Sequence, residues 1–166
     1  MVIVEFARSA ELVQLARTAS TPFEAYVAVE AEGGFGISAT RDEFAGPVTR
    51  EVNVLFTGGT YGAEAGAFLF HVGLAVPTDY REEFLAWYEH EHLPILLEAR
   101  GWDGCRFVEE PVEQGLLFHA LHQLSDRKAL DSDARKRSRS TPWFQRLAQH
   151  AWFDTGFART LYERYS

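Results

Sequence analysis

Two glutamates and two histidines stand together in an otherwise apolar stretch, WYEHEHLPILLEARGW at residues 87–102. His92 follows Tyr88 by four residues, so on a helix the two side chains lie on one stripe and can converge on one point. A neutral imidazole is the side chain best suited to proton transfer near pH 7. We therefore take His92 as the leading candidate for a catalytic base, with Tyr88 supporting it. The structural alternative is that His92 bonds backbone carbonyls freed by Pro94.

The adjacent stripe of the same predicted helix carries Trp87 and Glu91. A carboxylate can fix the tautomer of a catalytic histidine. Glu91 is therefore either such a group or an ordinary residue at the edge of a packed helix face. Glu89 and His90 are expected to face solvent.

Two further histidines lie on strands that the sequence predicts to be neighbours. His71 sits in the almost wholly apolar segment 67–76, and His119 lies in the segment 115–124. Side chains alternate across a strand, so each histidine shares its face with apolar neighbours two residues away. A pair of histidines on adjacent central strands predicts a pocket floor that steadies a developing oxyanion, whereas a lone buried histidine is more often a hydrogen-bonded core residue. His122 is predicted to lie on the opposite face and to matter less.

Aromatic residues elsewhere can wall a pocket for a planar ligand. The predicted substrate-binding residues are Trp87, Phe118, Trp143 and Phe144.

A metal site is not favoured by the sequence. The two histidines of the HEH motif are two residues apart and fall on different faces of a helix, unlike the four-residue spacing of a helical zinc site. A site built from His71, His92 and His119 has no sequence signature, and neither has a haem ligand among them. No glycine-rich nucleotide motif opens a helix. We therefore predict no metal and no cofactor.

Composition limits the partners. The chain has 166 residues, a formal net charge of −8 and one cysteine. This charge repels nucleic acid and anionic membranes, so neither is predicted as a partner. The basic run ARKRSRS at 134–140 is predicted to be a solvated face. The single cysteine, the lack of a secretory signal pattern and the lack of a long apolar span predict a cytoplasmic protein.

The order of elements predicts an α+β fold with an internal repeat. After a glycine-rich linker at 58–66, residues 67–166 follow the order β-α-β-β-α-β, which is ferredoxin-like. Thr141, followed by Pro142, is predicted to cap the last helix. Residues 1–60 follow the same order with the second helix reduced to a loop near 41–50. We therefore predict two ferredoxin-like units, the first degenerate, that together form a fused α+β barrel.

Residues 84–102 resemble a motif of the EthD-like branch of the dimeric α+β barrel superfamily. The matching positions are Trp87, Tyr88, Glu91, His92, Leu93, Pro94, Gly101 and Trp102. The resemblance covers about residues 67–165 and not residues 1–60, and the proline often found before the glycine is missing. It implies a pocket between sheet and helices, in a homodimer or in two units of one chain.

Related folds carry many reactions, so the fold alone does not choose one. The resemblance favours a cofactor-independent cyclase, isomerase or dehydratase acting on a small apolar carbonyl-bearing substrate, polyketide-like or aromatic. In that scheme His92 moves a proton, with Tyr88 and Glu91 supporting it, and His71 or His119 holds the oxyanion. The alternatives are a noncatalytic small-molecule binding protein and a haem- or metal-dependent oxidoreductase.

Overall fold

A computed structural model describes residues 1–19, 23–39, 48–62, 65–112, 115–153 and 155–165. In these segments nine strands form one antiparallel sheet that nearly closes into a barrel. The strands are β1 (Val2–Phe6), β2 (Glu24–Ala28), β3 (Gly34–Ser38), β4 (Val48–Glu51), β5 (Asn53–Gly59), β6 (Phe68–Val76), β7 (Trp102–Pro111), β8 (Leu116–Leu124) and β9 (Phe157–Arg164). The predicted α+β fold is confirmed.

Both halves of the sheet have the same strand order. Along the sheet the order is β4-β1-β3-β2-β9-β6-β8-β7-β5. The two groups of four are β1–β4 and β6–β9. In each group the fourth strand lies beside the first, and the third lies between the first and the second. This is the strand order of a ferredoxin-like unit, so the repeat inferred from element order is present in the sheet. The predicted loop near 41–50 lies outside the described residues, apart from its last three positions in β4.

The helices cover the outer face of the sheet. They are α1 (Ser9–Thr18), α2 (Arg81–Trp87), α3 (Leu93–Leu96), α4 (Asp133–Ser138) and α5 (Pro142–Leu147), with 3-10 turns at Thr78–Tyr80 and Arg127–Asp131. Thr141 caps α5 as predicted, accepting a hydrogen bond from the backbone N–H of Phe144. α5 ends at Leu147, and turns follow it in the described residues.

The predicted helix at 77–99 is interrupted where Pro94 requires it. Tyr88–His92 forms a single π-turn between α2 and α3, and the N–H of Leu93 bonds the carbonyl of Tyr88 five residues back. Pro94 has no N–H to donate, so the regular hydrogen-bond ladder cannot run through it. The extra residue in the wider turn brings the side chains of Tyr88 and His92 together, with ring centres 5.0 Å apart.

The two faces of the sheet pack against different parts of the protein. Side chains that point into the barrel, such as Leu69, Phe35 and Leu121, form one buried cluster. Those that point outward from β6, β7 and β8, such as Phe70 and Phe107, pack under α2 to α5. Because alternate residues of a strand belong to different faces, a shift of one position moves a side chain from the barrel interior to the helix layer.

Two seams join the halves. At one seam β2 pairs with β9, with Tyr26 opposite Arg164. The other seam is where the chain passes from β4 to β5. A single residue separates these two strands in sequence, and β5 then pairs with β7 of the second half. The only residue between them is Val52, whose N–H bonds the carbonyl of Met1. A Cβ on Gly104 in β7 would overlap the carbonyl oxygen of Thr60, so this seam requires a glycine.

No helix in the described segments is long and apolar enough to cross a bilayer.

Candidate active site

Among the described residues, only the Nδ1 ring nitrogen of His92 has a hydrogen-bond partner. Its Nδ1 lies 3.3 Å from the backbone carbonyl of Ser138, which can only accept, so Nδ1 carries the proton. The ring packs against Trp87, with ring centres 4.5 Å apart. Burial lowers the pKa of His92 to about 4, and the bond to Ser138 opposes that shift. His92 is therefore neutral at pH 7, with an unprotonated Nε2.

Tyr88 is bonded to a histidine whose tautomer is fixed by a third residue. The indole N–H of Trp102 donates to Nδ1 of His122 at 3.1 Å. Burial holds the pKa of His122 well below its usual range, so its ring is neutral and its proton is on Nε2. That nitrogen lies 2.7 Å from the Tyr88 hydroxyl and donates to it. The Tyr88 O–H proton therefore remains available to an acceptor, and burial raises the pKa of Tyr88 so that the phenol stays protonated.

These side chains line a cavity between the sheet and the helix layer. Its volume is about 60 Å³, which is room for a few water molecules. Trp87, Tyr88, His92, Trp102 and His122 lie around it. Aromatic side chains of Phe70, Phe144 and Phe157 form further walls. A larger ligand requires side chains at the mouth to move.

The predicted aromatic walls divide into two groups. Trp87 and Phe144 line the cavity. Phe118 does not, because it is fully buried in the core and packs on Phe84 and Phe107. Trp143 is also absent from the lining and lies near Arg146 on α5. The structure therefore does not place Phe118 and Trp143 in a ligand-binding position.

Glu91 does not orient a histidine. Its carboxylate accepts a hydrogen bond of 2.5 Å from the Thr141 hydroxyl, the cap of α5. The prediction that Glu91 assists His92 is not supported by this geometry. Its observed contact instead ties the π-turn to the start of α5.

His71 and His119 are neighbours, but on the wrong face of the sheet for His92. Nε2 of His71 lies 2.9 Å from Nδ1 of His119, and Nε2 of His119 lies 2.9 Å from Glu110. Both rings point into the barrel, where Phe35 packs on His71. Burial lowers the pKa of His71 to about 3. The expectation that they form the floor of the His92 pocket is therefore wrong, since the sheet itself separates the two sites.

His122 lies in the His92 cavity, where His71 and His119 were predicted to lie. Its predicted face is correct, but that face is the one that meets Tyr88 and His92. The sequence contains a signal for the contact between His122 and Tyr88. Alternate residues of β8 share a face, so if Phe118 faces the helices then His122 does too. The indole of Trp102 was part of the family resemblance, and its bond to His122 was not predictable from spacing.

Three arginines also line the cavity, Arg135, Arg139 and Arg159. Two come from the basic run 134–140 that was predicted to be only a solvated face. Arg139 and Arg159 are exposed, whereas Arg135 is partly buried and lies 5.5 Å from the ring of Phe70. Partial burial and then repulsion by Arg139 and Arg159 lower the pKa of Arg135.

Among the described residues no three side chains of His, Cys, Asp or Glu cluster as metal ligands. Both ring nitrogens of His122 are already engaged, so this histidine is not available as an axial ligand for a haem.

No protein family model matches the chain, and no curated protein matches it. Solved structures do match. An anthrone oxidase-like protein has a TM-score of 0.70 at 11% identity, covering 99% of this chain and 90% of that one. A haem-degrading enzyme from Listeria monocytogenes has a TM-score of 0.64 at 10% identity, covering 98% and 99%.

A third match is a ferredoxin-fold protein from Listeria monocytogenes related to antibiotic biosynthesis monooxygenases. Its TM-score is 0.66 at 11% identity, covering 99% of this chain and 94% of that chain. Identities this low show the fold alone. The chain thus has a ferredoxin-like fold, which it shares with this structure.

Proposed function

We propose that the protein is an enzyme of the EthD-like kind that moves a proton next to a carbonyl group, as a cyclase, isomerase or dehydratase on a small apolar substrate. The observation that carries this proposal is a pair of complementary groups on one cavity. His92 offers an unprotonated Nε2, and Tyr88 offers a hydroxyl proton that His122 leaves free.

The reaction begins with transfer of a proton from the carbon beside the carbonyl to Nε2 of His92. The electron pair of the broken C–H bond moves to the carbonyl oxygen, and the Tyr88 O–H donates a hydrogen bond to the resulting enolate. Return of the proton at another carbon gives an isomer. Loss of hydroxide from the neighbouring carbon, protonated by His92, gives dehydration. Attack of the enolate carbon on a second carbonyl of the substrate gives a ring and an alkoxide, and the proton held by His92 passes to that alkoxide.

His122 and Trp102 act on this step by positioning. Since His122 donates to the Tyr88 oxygen, Tyr88 becomes a better donor to the enolate through cooperative polarisation. Trp102 keeps the His122 tautomer that makes this possible. Neither residue has a free group with which to accept the substrate proton.

A second candidate is an oxygenase, and the names of the structural neighbours favour it. Several are described as monooxygenase-like, and one as anthrone oxidase-like. Both candidates share the removal of a proton by His92. They differ in the next step, because an oxygenase forms a bond between the carbanion and dioxygen and consumes oxygen.

The test is solvent deuterium incorporation into 2-indanone and anthrone, followed by NMR in D₂O with an oxygen electrode in parallel. We expect exchange above the buffer rate, and we expect His92→Gln to lower it by about 100-fold. His90→Gln is the matched control, because His90 is exposed on the same turn, and it should leave exchange unchanged.

Oxygen uptake would identify the oxygenase, and exchange without uptake would identify the proton-transfer enzyme. Exchange no faster than in buffer, or equal rates in the two variants, would contradict the proposal. Tight binding of a probe that exchanges no faster than in buffer would instead identify a noncatalytic binding protein.

A further inference from the structure

The mouth of the cavity carries a concentration of positive charge that the proposed chemistry does not use. Arg135 and Arg139 come from α4 and the residue after it, and Arg159 comes from β9. Two separate elements therefore bring guanidinium groups to one opening. The chain as a whole has a net charge of −8, so this opening differs in sign from the average surface.

Neighbouring cations form ion pairs with carboxylates. Among the described residues, Arg135 and Arg139 form no such ion pair. Arg137 pairs with Glu98, and Lys136 pairs with Asp133 at 3.1 Å. Among the described residues Arg139 has no carboxylate partner. Arg135 donates to the carbonyl of Leu130, and its one acidic neighbour acts on it only through space. Arg135 is repelled by Arg139 and by Arg159, and an anion bound among the three guanidinium groups relieves this repulsion.

We propose that these three arginines select a substrate that carries a carboxylate beside its reactive carbonyl. The inference rests on the proposed function, which places the carbonyl at His92 and Tyr88, and it adds the substrate class. The substrate is then a flat, apolar keto acid, with its carboxylate at the mouth and its carbonyl inside.

The shapes of the groups agree with this class. A guanidinium is planar and matches the two oxygens of a carboxylate with parallel N–H bonds. The walls behind the arginines are aromatic, which suits a flat ring more than a phosphate or a sugar. Trp87 also lines the cavity, and its buried indole N–H has no acceptor among the described residues. A ligand oxygen can satisfy that donor after a side-chain rotation.

The test compares benzoate with benzamide, which has nearly the same shape and no charge. Binding to the full chain is followed by quenching of tryptophan fluorescence and checked by calorimetry. We expect benzoate to bind about tenfold more tightly than benzamide at low ionic strength, with the difference shrinking as salt is added. Arg139→Gln and Arg159→Gln should each remove most of the preference for benzoate.

Arg137→Gln is the matched control, because Arg137 lies on the same helix but pairs with Glu98 away from the cavity. It should keep the preference for benzoate. Equal binding of the two probes, an equal effect of Arg137→Gln and Arg139→Gln, or no binding of either probe would overturn the inference. His92→Gln separates this inference from the proposed function, since it should lower deuterium exchange by about 100-fold and retain the preference for benzoate.

Discussion

Proton positions in the cavity follow from which ring nitrogens already have partners. His122 has both nitrogens engaged, one by Trp102 and one by Tyr88. His92 has only Nδ1 engaged, by a backbone carbonyl. Two histidines 30 residues apart in sequence therefore have different chemistry: one can accept a proton from a substrate and the other cannot. This distinction depends on neighbours and not on residue type.

The pH dependence of activity should show the depressed pKa of His92. The reaction needs the neutral imidazole, and the pKa of that group is lowered to about 4. We expect kcat/KM to be level from pH 8 to pH 5 and to fall about tenfold per pH unit below pH 4. A pH–rate profile of the wild-type enzyme measures this directly.

The control for that profile is the circular dichroism spectrum at each pH, because acid also destabilises the fold. An unfolded histidine takes up a proton near pH 6.5, whereas folded His92 does so only near pH 4. The unfolded chain therefore binds more protons between these values, and stability falls as the pH is lowered through this window. An acid limb at pH 6.5 in a folded protein would show that His92 is not the base, or that its pKa is ordinary.

The strands were more predictable from the sequence than the helix layer. Alternation of apolar residues located β6 and β8 and the faces of His71 and His119, because a strand repeats every two residues. The π-turn was not predicted, although Pro94 marked the place of the interruption. The arginines at the mouth were also missed, since the path from Arg127 to Leu147 is built from short helical pieces whose orientation depends on tertiary packing.

Thr141 links the start of α5 to the π-turn, and removal of its hydroxyl should destabilise both elements. Its hydroxyl accepts from the N–H of Phe144 and donates to Glu91 on the π-turn. We expect Thr141→Ala to lower the free energy of unfolding by about 1–2 kcal/mol through loss of the cap. Benzoate binding should also weaken, because Phe144 is a wall of the cavity. Urea denaturation and fluorescence titration measure the two effects.

Ser140→Ala is the matched control, since Ser140 is exposed and its hydroxyl donates to the carbonyl of Arg137. It should change stability by less than about 0.5 kcal/mol. If the two variants were equally stable, the cap of α5 would not anchor the helix layer in the way described.

The two halves of the barrel depend on each other for burial. Leu69 and Leu121 in the second half face Ile3 and Phe35 of the first across a shared interior. A polar chain crosses the same interior, from His71 through His119 and Glu110 to Arg50 and Glu5. The division into residues 1–60 and 67–166 therefore describes a repeat, and we propose that neither part is an independent folding unit.

Deletion of residues 1–60 should test that dependence. The deletion removes β1 to β5 and exposes the barrel-facing side of β6, β8 and β9, which is apolar and has unpaired edges. We expect the truncated protein to aggregate or to form a dimer through this face. Light scattering after size-exclusion chromatography gives the mass, and a thermal melt gives the stability. A soluble monomer as stable as the whole chain would refute the shared barrel.

The pairing of β2 with β9 also determines when, during synthesis of the chain, the edge of β2 can be covered. Tyr26 and Arg164, which face each other there, are separated by 138 residues, so the edge of β2 has no partner until nearly the whole described chain has left the ribosome. Contacts this distant in sequence close slowly, and an uncovered strand edge can pair with another nascent chain in the meantime. The protein is thus most exposed to misassembly during translation, before β9 arrives, and a chaperone that shields β2 would act at that moment.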